Sequence, residues 1–232
     1  MDIACTVDLV FPEFIKLKIM TNRLTLTATE KKQLIKLART AIIYCFDLKK
    51  NIQTRSSDQV PMEECLSILT EKYSPLEPPV LSEPLSCFVT INSHGSGIKQ
   101  LRGCIGTLEA RAGESLLGGI LRNSIMAAFF DSRFEPLQES ELSRISIEIS
   151  ILSKPETLVF QTESELHSGI KGKGVVMQSG AHRATFLPQV WEQLPQSAEF
   201  LRHLAKKAGI GLGDYLHADY EIYEVYAFEE SH

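Results

Sequence analysis

Behind Thr27-Ala28-Thr29-Glu30, apolar residues recur at helical spacing: Leu34, Leu37, Ala38, Ala41, Ile42, Cys45 and Leu48. A hydroxyl followed three residues later by a carboxylate is the spacing of a capping box. The pattern predicts an amphipathic helix over residues 29–48. The polar stretch 49–58 interrupts it, and residues 61–73 read as a short second helix with Leu66 and Leu69 inward. Pro75, Pro78, Pro79 and Pro84 then mark an extended connection, because proline fixes φ and removes a backbone donor. It is short enough to cross the surface of one domain rather than join two. From Leu85 the period changes to two: Leu85, Cys87, Val89 and Ile91 alternate with Ser86, Phe88 and Thr90. His94-Gly95-Ser96-Gly97 reads as a turn into a partner strand over residues 99–108. Gly103 and Gly106 interrupt that strand, which signals a bulge or the close approach of another group to the backbone.

Leu116, Leu117, Ile120, Leu121, Ile125, Ala128 and Phe129 form a broad apolar helical stripe. Over residues 144–152 the alternation is clean, with Ile145, Ile147, Ile149 and Ile151 on one face and Ser146, Glu148 and Ser150 on the other. The isoleucine face is expected to pack on the helix that contains Leu121 and Ile125. Residues 175–178 and 182–186 flank Ser179-Gly180, a two-residue hairpin signal. Residues 197–208 read as a helix with Phe200, Leu201 and Leu204 inward and Gly209 just beyond its end. Residues 220–228 read as a closing strand. Hairpins with few βαβ units predict an α+β fold, a mostly antiparallel sheet flanked by helices. A smaller β-containing subdomain around residues 175–186 is expected to sit within the larger unit.

The formal net charge of -5 argues against a molecule-wide surface for nucleic acid. The chain contains no run of about 18 apolar residues, so no transmembrane helix is expected. Residues 1–20 lack a basic region ahead of an apolar stretch and do not read as a signal peptide. The 5 cysteines form no CxxC pair, which argues against a disulfide framework or a cysteine-rich zinc site. Reduced thiols in the cytoplasm are the simplest reading. The glycine-rich segment 169–174 lacks the P-loop order, and neither GxSxG nor HExxH occurs. The scattered histidines suggest no metal site.

Leu101-Arg102-Gly103-Cys104-Ile105-Gly106 is the leading candidate site. Two glycines bracket Cys104 and let the backbone approach another group. Arg102 brings a fork suited to anions, and a guanidinium near a thiol favours the thiolate. The alternative is a bulged strand in which the cysteine is a small buried hydrophobe. In Asp131-Ser132-Arg133-Phe134 the Asp and Arg order a turn through local hydrogen bonds, or Arg133 is presented to a ligand. Glu148 is a solvated strand carboxylate, or a proton acceptor if another element covers its face. In Phe186-Leu187-Pro188-Gln189-Val190-Trp191, Phe186 and Trp191 read as core and Gln189 as an amide offered to a ligand. Lys206 and Lys207 complement a helix dipole.

These segments resemble the AMMECR-domain family. Leu101–Gly106 is similar to its hallmark hexapeptide, and Asp131-Ser132-Arg133-Phe134 to its Asp-x-Arg-Phe turn. Ile147-Glu148-Ile149-Ser150-Ile151-Leu152, the Phe186–Trp191 segment and Lys207-Ala208-Gly209 follow in family order. The resemblance spans residues 25–228 and marks residues 1–22 as an N-terminal extension to a domain over 23–232. It implies two subdomains that are not independent, the larger holding both chain ends, with the hexapeptide near the groove between them. It implies Memo-like and radical-SAM proteins as partners, and it carries no established reaction or cofactor. An enzyme or enzyme subunit would bind a small anionic or nucleotide-like substrate in the groove. Arg102, Gly103, Arg133 and Gln189 would then be binding residues, Glu148 would move a proton, and Cys104 would be nucleophile or ligand. The alternatives are an accessory or binding protein and a nucleic-acid-associated factor.

Overall fold

The computed structural model describes residues 26–52, 62–73, 81–95, 98–211 and 213–230. The expected N-terminal extension, most of the proline-rich connection and Ser96-Gly97 lie outside them.

The first helix, α1 (Ala28–Ile52), starts at the expected box: Glu30 N–H donates to Thr27 Oγ1 at 3.2 Å, and the Glu30 carboxylate accepts from Thr27 N–H. The second, α2 (Met62–Tyr73), buries Cys65, Leu69 and Tyr73, with Leu66 half-buried beside them. Strands β1 (Ser86–Ser93) and β2 (Gln100–Gly106) form an antiparallel pair, followed by α3 (Leu116–Phe129). A 3-10 turn, Glu139–Arg144, leads into β3 (Ile145–Leu152). The chain then builds β4 (Glu156–Thr157), α4 (Glu163–Ile170), β5 (Gly174–Ser179) and β6 (His182–Phe186). It ends with α5 (Val190–Gln193), α6 (Ser197–Ala208), β7 (Asp219–Tyr223) and β8 (Val225–Glu229).

Two antiparallel sheets result, in the orders β2-β1-β3-β8 and β4-β7-β5-β6. The fold is therefore α+β, with helices on one face of each sheet. Cys87, Val89, Ile91 and the four alternating isoleucines of β3 point into the first core beneath α1, α2 and α3. The helix lying over β3 is α1, whereas α3, which carries Leu121 and Ile125, covers β1 and β2. Trp191 stacks on Phe200 in the second core, with ring centroids 4.0 Å apart. Leu152, Val176 and Tyr223, packed with Phe88, Leu108, Leu187 and Val225, join the two sheets.

The helix over the isoleucine face is thus α1 and not the expected α3, and two further expectations are corrected. The stretch 220–228 is not one strand: it breaks at Glu224, so that β7 belongs to the second sheet and β8 to the first. At the crossing, Ser153 N–H donates to the Glu224 carbonyl at 2.9 Å, and Glu224 N–H donates to Ser153 Oγ at 3.0 Å. Apolar residues continue on both sides of Glu224, so the pattern hides the break. The hairpin turn is Gly180-Ala181, because Ser179 pairs with His182; Gly180, at φ 58°, occupies the left-handed region.

Candidate functional site

Gly103 and Gly106 decide how β2 sits. A Cβ on Gly103 would lie 2.1 Å from the Ala127 carbonyl oxygen, so this glycine lets α3 rest directly on the strand. A Cβ on Gly106 would strike the Phe88 ring and the Cys87 carbonyl. Gly103 thus faces the helix and is buried, on the opposite side of the strand from Cys104. The register slips where Ile91 pairs with Gly103 and Asn92 with Leu101, leaving Arg102 as the extra residue of a bulge. Its guanidinium grips Glu141 of the 3-10 turn, Nε to Oε1 at 2.8 Å and Nη2 to Oε2 at 3.1 Å. That pairing with Arg102 lowers the Glu141 pKa below its ordinary value. Arg102 therefore anchors the bulge to the turn before β3, and its fork is already filled by a carboxylate.

Cys104 lies opposite Thr90, and β2 is an edge strand. Its backbone groups point away from the sheet. A side-chain pair takes them up: Cys104 N–H donates to Asp131 Oδ2 at 2.9 Å, and Arg133 Nη2 donates to the Cys104 carbonyl at 3.0 Å. Arg133 also holds Asp131 through Nε to Oδ1 at 2.9 Å and Nη2 to Oδ2 at 2.7 Å. The ion pair substitutes for a missing neighbour strand and blocks the edge against further pairing. The Arg133 guanidinium beside Asp131 holds its carboxyl far below the usual carboxylate range, with the Cys104 and Arg133 backbone bonds acting in the same direction and burial opposing them. Asp131 is buried, while the Arg133 side chain is 54% exposed and lies over the Phe134 ring.

Residues opposite each other on paired strands share a face. Cys104 is across from Thr90, Thr90 from Glu148, and Glu148 from Glu229. These four side chains form one row across the sheet on the face away from α1 and α3. Thr90 Oγ1 donates to Cys104 Sγ at 3.2 Å, the close approach expected of a pair whose backbones are not hydrogen-bonded to each other. Glu148 is one strand further from Cys104, about 10 Å away at the usual strand spacing. Its carboxylate is 3.7 Å from Lys99 Nζ, which also binds Glu229 at 2.7 Å. Glu229 accepts from Ser146 Oγ at 2.9 Å, and Ser146 Oγ lies 2.7 Å from His94 Nε2. Ser146 and Ser150 flank Glu148 on the face opposite the isoleucines, as expected, and both are buried there.

Of the residues singled out in the sequence, Cys104 and Glu148 share the row and Arg133 borders it at the edge. Arg102 reaches the 3-10 turn, Gly103 faces α3, and Gln189 is exposed at the start of α5. Thr90 and the acceptor role of Asp131 toward Cys104 were not foreseen. Thr90 had a signal in the strand alternation, whereas the Asp131 contact depends on how α3 ends beside β2. A shallow depression lies nearby, lined by Ser93, Gly95, Glu141, Arg144 and Ile145. Among the described residues no group of three or more His, Cys, Asp or Glu is arranged to hold a metal ion, and no helix is long and apolar enough to cross a membrane.

A sheet of this topology, with an edge strand clamped at a cysteine between two glycines, defines an α+β domain built around a short strand motif. The family model described as AMMECR1 matches residues 35–231, and the chain belongs to that family. A protein of Methanopyrus kandleri is 31% identical over 215 residues, 88% of this chain and 90% of its own length. One from Thermoplasma volcanium is 37% identical over 139 residues, 58% of this chain and 66% of that protein. The crystal structure of an uncharacterized protein from Pyrococcus horikoshii superposes with a TM-score of 0.59 at 25% identity, covering 87% of this chain and 92% of that one.

Proposed function

We propose that the chain is a cytoplasmic enzyme or enzyme subunit that binds a small anionic, nucleotide-like ligand on the Cys104 face, with Cys104 as the reacting or ligating group. The observation that carries this reading is the fixation of one partly exposed thiol on three sides. Asp131 and Arg133 hold its peptide, and Thr90 donates to its sulfur. An edge strand needs only a blocked backbone; a hydroxyl aimed at the sulfur orients the thiol as well.

The row also has polarity. The Arg133 side chain, 54% exposed although its Nε and Nη2 are held by Asp131 and Cys104, stands beside Cys104 at one end, and the Glu148 carboxylate, paired with Lys99, lies further along the row before Glu229. A ligand with an anionic group at Arg133 and hydroxyl or amine donors toward Glu148 matches it. Arg133 would bind and Glu148 would accept a proton. Arg102 and Gly103 act as positioning residues that hold β2 in place. Gln189 enters only if the α5 segment contacts the ligand. The accessory role beside a Memo-like or radical-SAM partner requires a continuous apolar face. Among the described residues, the exposed large apolar side chains are instead scattered over α1, α2, β2, the end of α3 and loops.

The test is protection of Cys104 from iodoacetamide in the native protein, read by peptide mass. Adenosine monophosphate should slow its alkylation while adenosine does so weakly, and Arg133→Gln should erase the difference. Equal rates with and without both compounds would contradict the reading.

A further inference from the structure

The proposed site uses one thiol, and the first core holds others. Cys45 in α1 and Cys65 in α2 are both fully buried, and the Cys45 Sγ donates to the Cys65 Sγ at 2.8 Å. Their closeness was invisible in the sequence, where the two lie 20 residues apart without a CxxC pattern. Two sulfurs this close, held by two packed helices, need to approach by only about 0.8 Å to reach covalent S–S distance. No other described cysteine competes, since Cys87 bonds with Asn123 and Cys104 with Thr90.

We propose that Cys45 and Cys65 are a redox pair, oxidised by a peroxide to a disulfide that staples α2 onto α1. Oxidation proceeds in two steps. A thiolate attacks one oxygen of the peroxide, giving a sulfenic acid and releasing hydroxide, or an alkoxide if the peroxide is organic. The second thiol then attacks the sulfenic sulfur; an S–S bond forms, the S–O bond breaks, and water leaves. With hydrogen peroxide the sum is two thiols and one peroxide giving one disulfide and two waters. The two sulfurs lose two electrons and the peroxide gains them.

The order of attack follows from burial. The hydrogen bond to Cys65, with burial behind it, pushes the Cys45 thiol far above the ordinary cysteine range, so the closed pair is unreactive. Cys65 lies near the start of a short helix that buries only Cys65, Leu69 and Tyr73. Local opening of so small a footprint is cheaper than opening α1, so Cys65 is exposed first and oxidised first. On reclosure the sulfenic acid is buried against Cys45 in the apolar first core, and condensation follows. The pair therefore reports peroxide slowly, at the rate of α2 opening.

The experiment uses the full chain, reduced and desalted, then treated with hydrogen peroxide. The protein is unfolded in N-ethylmaleimide and digested without reductant. The expected result is a Cys45–Cys65 cross-linked peptide that a phosphine reductant removes. The melting temperature should rise by about 6–12 °C, from a closed loop of about 20 residues in a chain of this size. Formation should accelerate in low urea that opens α2 without global unfolding. The proposal is overturned if Cys45 and Cys65 are both recovered fully alkylated after oxidation, or if their cross-links lead to other cysteines. Because the native chain is mapped, the outcome does not depend on whether Cys45→Ser or Cys65→Ser folds.

Discussion

At Cys104, a backbone N–H and C=O that an edge strand would leave to water are both taken by one ion pair. Charge-assisted bonds of this kind are about twice as strong as neutral ones. Asp131→Ala should therefore cost about 2–3 kcal/mol in urea unfolding, a range already reduced for the half-exposed Arg133 partner. Asp131→Asn should cost less, since one acceptor remains; equal losses would show that the charge alone, and not the shape, carries the contact. The same pair sets an acid limit. Asp131 and Glu141 are both depressed in the folded chain, by Arg133 and Arg102 respectively. Their contribution is whole above about pH 4, the unfolded carboxylate range, and is lost as pH falls below it toward the folded values. The urea midpoint should drop between about pH 4 and about pH 2, and the drop should shrink in Asp131→Asn. A midpoint flat over that interval would contradict the linkage. The hexapeptide and the Asp-x-Arg-Phe turn were each legible in the sequence. Their contact was not, because residues 27 apart in the chain meet only through the path of α3.

Element by element, period-two and period-3.6 patterns located the main helices and strands because each has one face in a core. What they missed was short or exposed: β4 has two residues, and α4 buries only Leu166 and Ile170. Only Glu224 separates β7 from β8, with apolar residues on both sides, so nothing local announces that they serve different sheets. Gly103 shows the limit in another way. Its position in a strand foretold a close approach, but only the fold shows the approaching group to be the α3 backbone rather than a ligand. Gly103→Ala should destabilise by about 3 kcal/mol or more, as overpacking against a rigid helix does, measured by thermal unfolding. A change under half a kilocalorie, roughly the range of surface substitutions, would mean α3 does not rest on β2. Ile147→Ala, at a fully buried position of β3, should cost about 2–5 kcal/mol.

For the whole molecule, the crossing at Ser153 and Glu224 ties the sheets together with the shared cluster of Leu152, Val176 and Tyr223. Such a junction should make the two cores unfold as one unit. Trp191, the single tryptophan, sits in the second core and reports it by fluorescence, whereas far-UV circular dichroism is dominated by α1 and α3 around the first. The two curves should coincide in urea; separate midpoints would show that the cores are independent. Charge and hydropathy across the sequence excluded classes of function without naming one. The face that carries Cys104, Thr90 and Glu148 is assembled from three strands and is visible only in the fold.

The central claim is that Cys104 stands in a site that prefers anions because Arg133 borders it. The direct measurement is the ratio of its alkylation rates by iodoacetate and iodoacetamide in the native chain, compared with the same ratio in Arg133→Gln. The account predicts a native ratio above that of a free thiol peptide and a fall of several-fold in the variant, with the iodoacetamide rate changing less. A native ratio equal to the peptide's, unchanged by Arg133→Gln, would contradict it.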